Sequence, residues 1–143
     1  MTPDRRGDRG SAAIETAVLM PLFVTLICIA LALGRTAGAL AAVEMAAYAG
    51  ARTASLARQA ADAEAAATAA VTRSLAEHGY ACRDGPQVTV DTAGFAEPVG
   101  TPASVTVRVA CRVSYADLGP LELGDRIVSA EFVSPLDLYR GRG

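Results

Sequence analysis

Apolar residues fill one early segment of the chain without interruption. From Thr16 to Gly34 there is no charged residue, a run of 19 positions. As a helix rising about 1.5 Å per residue, this run would span roughly 28 Å, which is close to the ~30 Å hydrocarbon core of a bilayer. A run this long and this apolar is seldom the buried helix of a soluble protein. The pattern therefore predicts a transmembrane helix over residues 11–34.

The next segment keeps a helical pattern but gains charges. Residues 35–78 are rich in alanine, and Leu40, Val43 and Ala47 recur at helical spacing. We therefore expect the membrane helix to continue outward as an amphipathic stem over 35–78, with a bend near Gly50. The helix should end at His78 and Gly79, because glycine readily takes the left-handed conformation that terminates helices.

Beyond Gly79 the spacing of apolar residues changes to strict alternation. In residues 105–115 the odd positions share one face, and a period of two is typical of a half-buried strand. The apolar positions of that face are Val105, Val107, Val109, Cys111, Val113 and Tyr115. A shorter alternation over 88–91 and a run over 126–133 predict two further strands.

Turn-forming residues separate these strands, at Gly94, at Gly119 with Pro120, and at Gly124 with Asp125. The predicted fold class is therefore α+β. A long N-terminal transmembrane helix continues as an amphipathic stem, and residues 79–143 form a small antiparallel sheet of about three strands packed on the helix.

Composition excludes some functions. Only 5% of residues are aromatic and none is Trp, which argues against a large aromatic ligand pocket. The net charge is −2, so the chain lacks the basic surface expected of a nucleic-acid-binding protein.

Two of the three cysteines are positioned to pair. Cys111 lies on the inward face of the best strand and Cys82 lies just beyond the helix end. Disulfides form outside the cytoplasm, so we expect a Cys82–Cys111 bond if the sheet lies there. Cys28 falls inside the apolar run, where it would serve as a small packing residue.

The flanks of the apolar run suggest its orientation. Arg5, Arg6 and Arg9 precede it, whereas Arg35 alone follows it closely. An excess of arginine marks the cytoplasmic side. Residues 1–10 are therefore expected to be a cytoplasmic leader, with the C-terminal domain outside the cytoplasm.

The sequence around Glu15 resembles a known processing signal. A carboxylate this close to an apolar span is costly unless it is compensated. The segment Arg9-Gly10-Ser11-Ala12-Ala13-Ile14-Glu15, followed by an apolar run with Pro21, looks like the class III prepilin signal of type IV-type pilins. More narrowly, it resembles TadE-like proteins of the Flp/Tad pilus system, as does the segment from Ala46 to Arg52.

That resemblance implies a non-enzymatic, pilin-like role. A prepilin peptidase would cleave after Gly10, leaving Ser11 as the new N-terminus. Glu15 would then pair with the N-terminal amine of its own chain or of a neighbouring subunit. The implied partners are the prepilin peptidase, other pilin-like subunits contacted through the transmembrane helix, and the lipid bilayer. Whether such a protein enters the pilus or assists its assembly stays open.

Two other functions share parts of this pattern. A secreted protein could use Arg5 and Arg6 as the start of a signal peptide, residues 16–33 as its apolar region and Ala39-Leu40-Ala41 as a cleavage site. An unprocessed single-pass adaptor would have the same topology as the pilin-like protein but no cleavage at Gly10.

Enzymatic chemistry is not suggested by any motif. The single histidine, His78, sits at a helix end, where it interacts favourably with the helix dipole. No phosphate-binding glycine loop, nucleophile elbow or zinc-binding cysteine spacing occurs in the chain. We therefore expect no catalytic residue, cofactor or metal.

Overall fold

The computed structural model describes residues 8–115 and 124–139, with side chains from residue 14 onward. The element order is α1 (Asp8–Ser55), α2 (Ala60–Glu77), β1 (Gln87–Asp91), a 3₁₀ helix (Ala93–Ala96), β2 (Ser104–Ser114) and β3 (Asp125–Pro135). The predicted α+β class is confirmed. The turn predicted at Gly119 and Pro120 lies outside the described residues.

α1 is a single helix of 48 residues, about 72 Å long at 1.5 Å per residue. Pro21 lies inside it and removes one backbone donor. The hydroxyl of Thr25 donates to the Pro21 carbonyl oxygen over 2.7 Å, one turn further along. The apolar run and the first part of the stem are thus one continuous helix.

The remainder of the stem folds back instead of continuing outward. α1 ends at Ser55, and α2 begins at Ala60 and packs antiparallel against it. Gly50, where a bend was expected, is buried within α1, and the chain reverses only after Ser55. A Cβ at Gly50 would lie 2.8 Å from Val71 Cγ2 and 3.2 Å from Val107 Cγ1. Glycine is therefore needed here for close packing, because helix and sheet both press against this position.

α2 ends as the sequence predicts. Its last residue is Glu77, and Gly79 adopts a φ of +71°. The N–H of Gly79 donates to the Ala76 carbonyl, and the N–H of Tyr80 donates to the Leu75 carbonyl. These two bonds form a Schellman motif, which satisfies the free carbonyls at the helix end.

The three strands form an antiparallel sheet in the order β1-β2-β3. The central strand β2 pairs with β1 from Gln87↔Ala110 to Asp91↔Thr106, and with β3 from Ser104↔Pro135 to Ser114↔Asp125. The predicted inward face of residues 105–115 is confirmed, because all six of its side chains are buried. Most of the core lies between that face and the two helices, with alanines closing the helix contact. Its helical members are Ala39, Ala42, Val43, Ala46, Ala47, Ala51, Ala54, Ala63, Ala67, Val71 and Leu75.

Candidate membrane anchor and assembly segment

The first half of α1 projects from the domain with its apolar side chains exposed. Ile14 is 70% exposed and Phe23 is 66% exposed, and no large apolar residue between them is buried. By length and composition the helix is able to cross a membrane, and its most apolar window contains no buried residue. A core helix of a soluble protein would bury such side chains against its own domain. The projecting half therefore fits a membrane anchor, whose side chains find an apolar environment outside the chain.

The predicted processing residues lie at the start of this anchor. Within the described residues α1 runs from Asp8, and the backbone of Gly10 and Ser11 is helical there. Glu15 follows Ser11 by one further turn, and its side chain is exposed. Residues four apart are neighbours on a helix surface, with Cβ atoms about 5–6 Å apart. The geometry thus places position 11 and Glu15 on the same side of the helix.

The junction between anchor and domain is built from hydroxyl groups. Thr36 donates to the Ala32 carbonyl over 2.8 Å, and its hydroxyl lies 2.6 Å from that of Tyr115. Because the single Thr36 proton is directed to Ala32, Tyr115 donates to Thr36. Tyr115 is buried at the end of β2. This bond ties the sheet to α1 two residues after the uncharged run ends, and sequence reasoning did not identify it.

A disulfide closes the same end of the domain. Cys82 and Cys111 are bonded, with Cα atoms 5.2 Å apart, as predicted. The bond links the segment after α2 to the central strand. Cys28 is free and half-buried within the anchor.

The described residues contain no cluster of metal-ligating side chains. Among them, no group of three or more His, Cys, Asp and Glu side chains could hold a metal ion. His78 Nδ1 lies 2.7 Å from the Ser74 carbonyl oxygen, which gives the imidazole a structural position at the end of α2. Arg108 pairs with Glu131, and Arg83 pairs with Asp125, on the exposed side of the sheet.

The family comparison falls on the anchor. Residues 10–52 match the family described as TadE-like protein. This match confirms the resemblance found in the sequence, and it spans the predicted cleavage motif, the apolar run and the first part of the domain. It supports a pilus-associated, pseudopilin-like protein with one membrane-spanning helix, and such proteins are not a known enzyme class. No curated protein and no solved structure matches the chain.

Proposed function

We propose that this protein is a non-enzymatic pilin-like subunit or assembly component of a Flp/Tad pilus or related secretion machinery. The observation that carries the proposal is the exposed apolar half of α1, which begins with the Gly10–Glu15 segment and matches the TadE-like family. In this proposal the N-terminus is cytoplasmic and the folded domain lies outside the cytoplasm. The Cys82–Cys111 bond supports that placement, because disulfides persist in oxidising compartments.

Cleavage after Gly10 by a prepilin peptidase is the first step of the proposed function. The bond between Gly10 and Ser11 lies within the described part of α1, ahead of the uncharged run that starts at Thr16. Cleavage at this bond would remove residues 1–10 and leave the apolar anchor intact.

Glu15 would then have a partner of opposite charge. Cleavage creates a protonated amine at Ser11, one helical turn from Glu15. Neither an isolated carboxylate nor an isolated ammonium is stable in hydrocarbon, so the two groups favour each other within one chain or between neighbouring subunits. Pairing between subunits would fix how far one helix is displaced along the next.

Partner subunits are proposed to contact the anchor directly. Small residues allow helices to approach closely in a membrane, and the exposed anchor carries several, including Ala17, Ala30 and Gly34. Lipid would cover the parts of the helix that no partner covers. The anchor also runs unbroken into the domain, where Ala39 is buried in the core. This continuity favours a retained anchor over a signal peptide removed after Ala41.

The role of Glu15 is tested by replacing it with Gln, which preserves size and removes the charge. The Glu15→Gln protein should stay in the membrane pellet after alkaline extraction but should be lost from sheared pili, or from the assembly complex isolated in mild detergent. Thr25→Val is the matched control, because it removes another exposed polar group from the same helix. Normal incorporation of Glu15→Gln would show that the carboxylate has no role in assembly.

A further inference from the structure

The folded domain has two opposite sides that its own chain leaves uncovered. One is the α1–β3 flank, formed by Glu44, Met45, Tyr48 and Arg52 of α1 together with Phe132 of β3. All five side chains are exposed to solvent, including Tyr48 at 47% and Phe132 at 39%. The Tyr48 and Phe132 rings stack edge to face, with centroids 4.9 Å apart.

The other side is the α2 outer stripe, the exposed outer face of that helix, on which small residues predominate. It is lined by Ala61, Ala65, Thr68, Ala69, Thr72 and Ala76, with Glu64 and Arg73 at its margins. Bulky aromatic groups therefore lie on one side of the domain, and a flat surface that could receive them lies on the other.

The charges on the two sides match in height along the helices. A Cβ built at Gly50 lies 2.8 Å from Val71 Cγ2 and 3.5 Å from the Ala67 carbonyl oxygen, so Gly50 lies level with residues 67–71 of the antiparallel α2. Glu44 is six residues before Gly50, so it is level with residues 73–77. Glu44 of one copy therefore lies within about one helical turn of Arg73 of a second copy placed beside it at the same height.

The same count brings two more pairs together. Tyr48 is level with residues 69–73, which start at Ala69, and Arg52 is level with residues 65–69, which adjoin Glu64. Glu44, Arg52, Glu64 and Arg73 form no ion pair with one another or with other residues in the part of the chain that the structure describes. Copies anchored by identical helices in one membrane, before any displacement of one helix along the next during assembly, lie at equal height, so this register needs no further adjustment.

The sheet is compatible with the same placement. Within the described residues, β1 and β3 are the two edge strands, and each pairs with β2 alone. Val90 and Phe132 both pair with Val107, so β1 of a second copy would lie beside β3 at the matching level. Three strands at about 4.8 Å cover roughly 14 Å, and two alanine-rich helices packed about 8 Å apart cover roughly 16 Å. The sheet and the helix pair therefore have similar widths, so both could contact the neighbouring copy at the same spacing.

We propose that the folded domain associates side by side with further copies of this chain, the α1–β3 flank of one copy receiving the α2 outer stripe of the next. The contact is heterologous, so it adds copies in a row instead of closing a symmetric pair. The proposal rests on the membrane anchoring argued above. It does not depend on cleavage at Gly10 or on Glu15.

The test is cross-linking of the full-length protein in its membrane, in a Cys28→Ala background. The cells express two versions of the protein together, one with Tyr48→Cys and one with Ala69→Cys. A short bis-maleimide is then added to these mixed cells. A dimer band is expected only from the mixed cells. Tyr48→Cys alone should give none, and neither should Thr106→Cys mixed with Ala69→Cys, because Thr106 lies on the outer face of the central strand.

Charge reversal provides the second measurement. Glu44→Arg should lower the cross-linked fraction about two- to five-fold, the range for an exposed ion pair, and adding Arg73→Glu should restore it. Three cross-linking results would overturn the proposal: no dimer in the mixed cells, a dimer from Tyr48→Cys alone, or an equal dimer signal from Thr106→Cys mixed with Ala69→Cys. Cross-links to another protein only would also overturn it. So would a cross-linked fraction that Glu44→Arg lowers and Arg73→Glu does not restore. Alkaline extraction of the same samples reports anchoring, so a missing cross-link with the anchor intact overturns the interface and not the proposed function.

Discussion

Breaking the Cys82–Cys111 bond should remove a large share of the domain's stability. The bond joins positions 29 residues apart. In the chain-entropy model a loop of that length is worth about 3.6 kcal/mol. Small folded domains are typically stable by only about 5–15 kcal/mol, and much of this core consists of alanine, which buries little area per residue. Loss of the bond should therefore leave the domain only marginally folded.

Two perturbations distinguish the stabilising effect of the disulfide bond from that of packing the Cys111 sulfur in the core. Chemical reduction of the wild-type protein removes the bond alone. The double substitution Cys82→Ala and Cys111→Ala also removes the Cys111 sulfur, which is only 2% exposed, and should cost about 1 kcal/mol more. Cys28→Ala is the matched control, because Cys28 lies in the anchor and outside the domain core.

The assay is urea unfolding of the full-length protein in mild detergent, followed by circular dichroism and by the fluorescence of its four tyrosines. Reduction should lower the free energy of unfolding by about 3–4 kcal/mol, while Cys28→Ala should leave it unchanged. A loss below about 1 kcal/mol on reduction would refute the reasoning, since the cross-link would then constrain little of the unfolded chain.

Three further substitutions test the bond between α1 and the sheet and the packing within the domain. Tyr115→Phe removes the donor to Thr36 and should lower the free energy of unfolding by about 1 kcal/mol. Thr36→Val leaves the buried Tyr115 hydroxyl without its acceptor and should lower it by about 1–3 kcal/mol. The double variant should resemble Tyr115→Phe, and additive losses in urea unfolding would show that the two hydroxyls are not bonded. Gly94→Ala should destabilise the domain by about 1–3 kcal/mol, because its Cβ would lie 2.2 Å from the Ser104 carbonyl oxygen. An unchanged midpoint for Gly94→Ala would contradict this close approach.

Much of this fold can be predicted because its signals are local. Strict alternation over residues 105–115 identified the buried face of β2, since successive strand side chains point to opposite sides. A glycine after the last helical residue correctly located the end of α2. The uncharged run predicted the anchor because bilayer thickness sets a minimum apolar length.

The fold-back of the stem could not be predicted in the same way. Residues 56–59 contain neither Gly nor Pro, and the flanking alanines favour helix on both sides of the reversal. What decides the turn is the contact between the alanine faces of α1 and α2, which involves residues far apart in sequence. The bond between Thr36 and Tyr115 was missed for the same reason, because the two residues are 79 positions apart.

The processing site tests the account most directly. Intact mass and N-terminal sequencing should be measured on the membrane-bound protein from cells with and without their prepilin peptidase. The account predicts a chain that starts at Ser11 when the peptidase is present and retains its leader when the peptidase is absent. A chain that keeps residues 1–10 in both cells, or one that has lost the whole anchor, would contradict it.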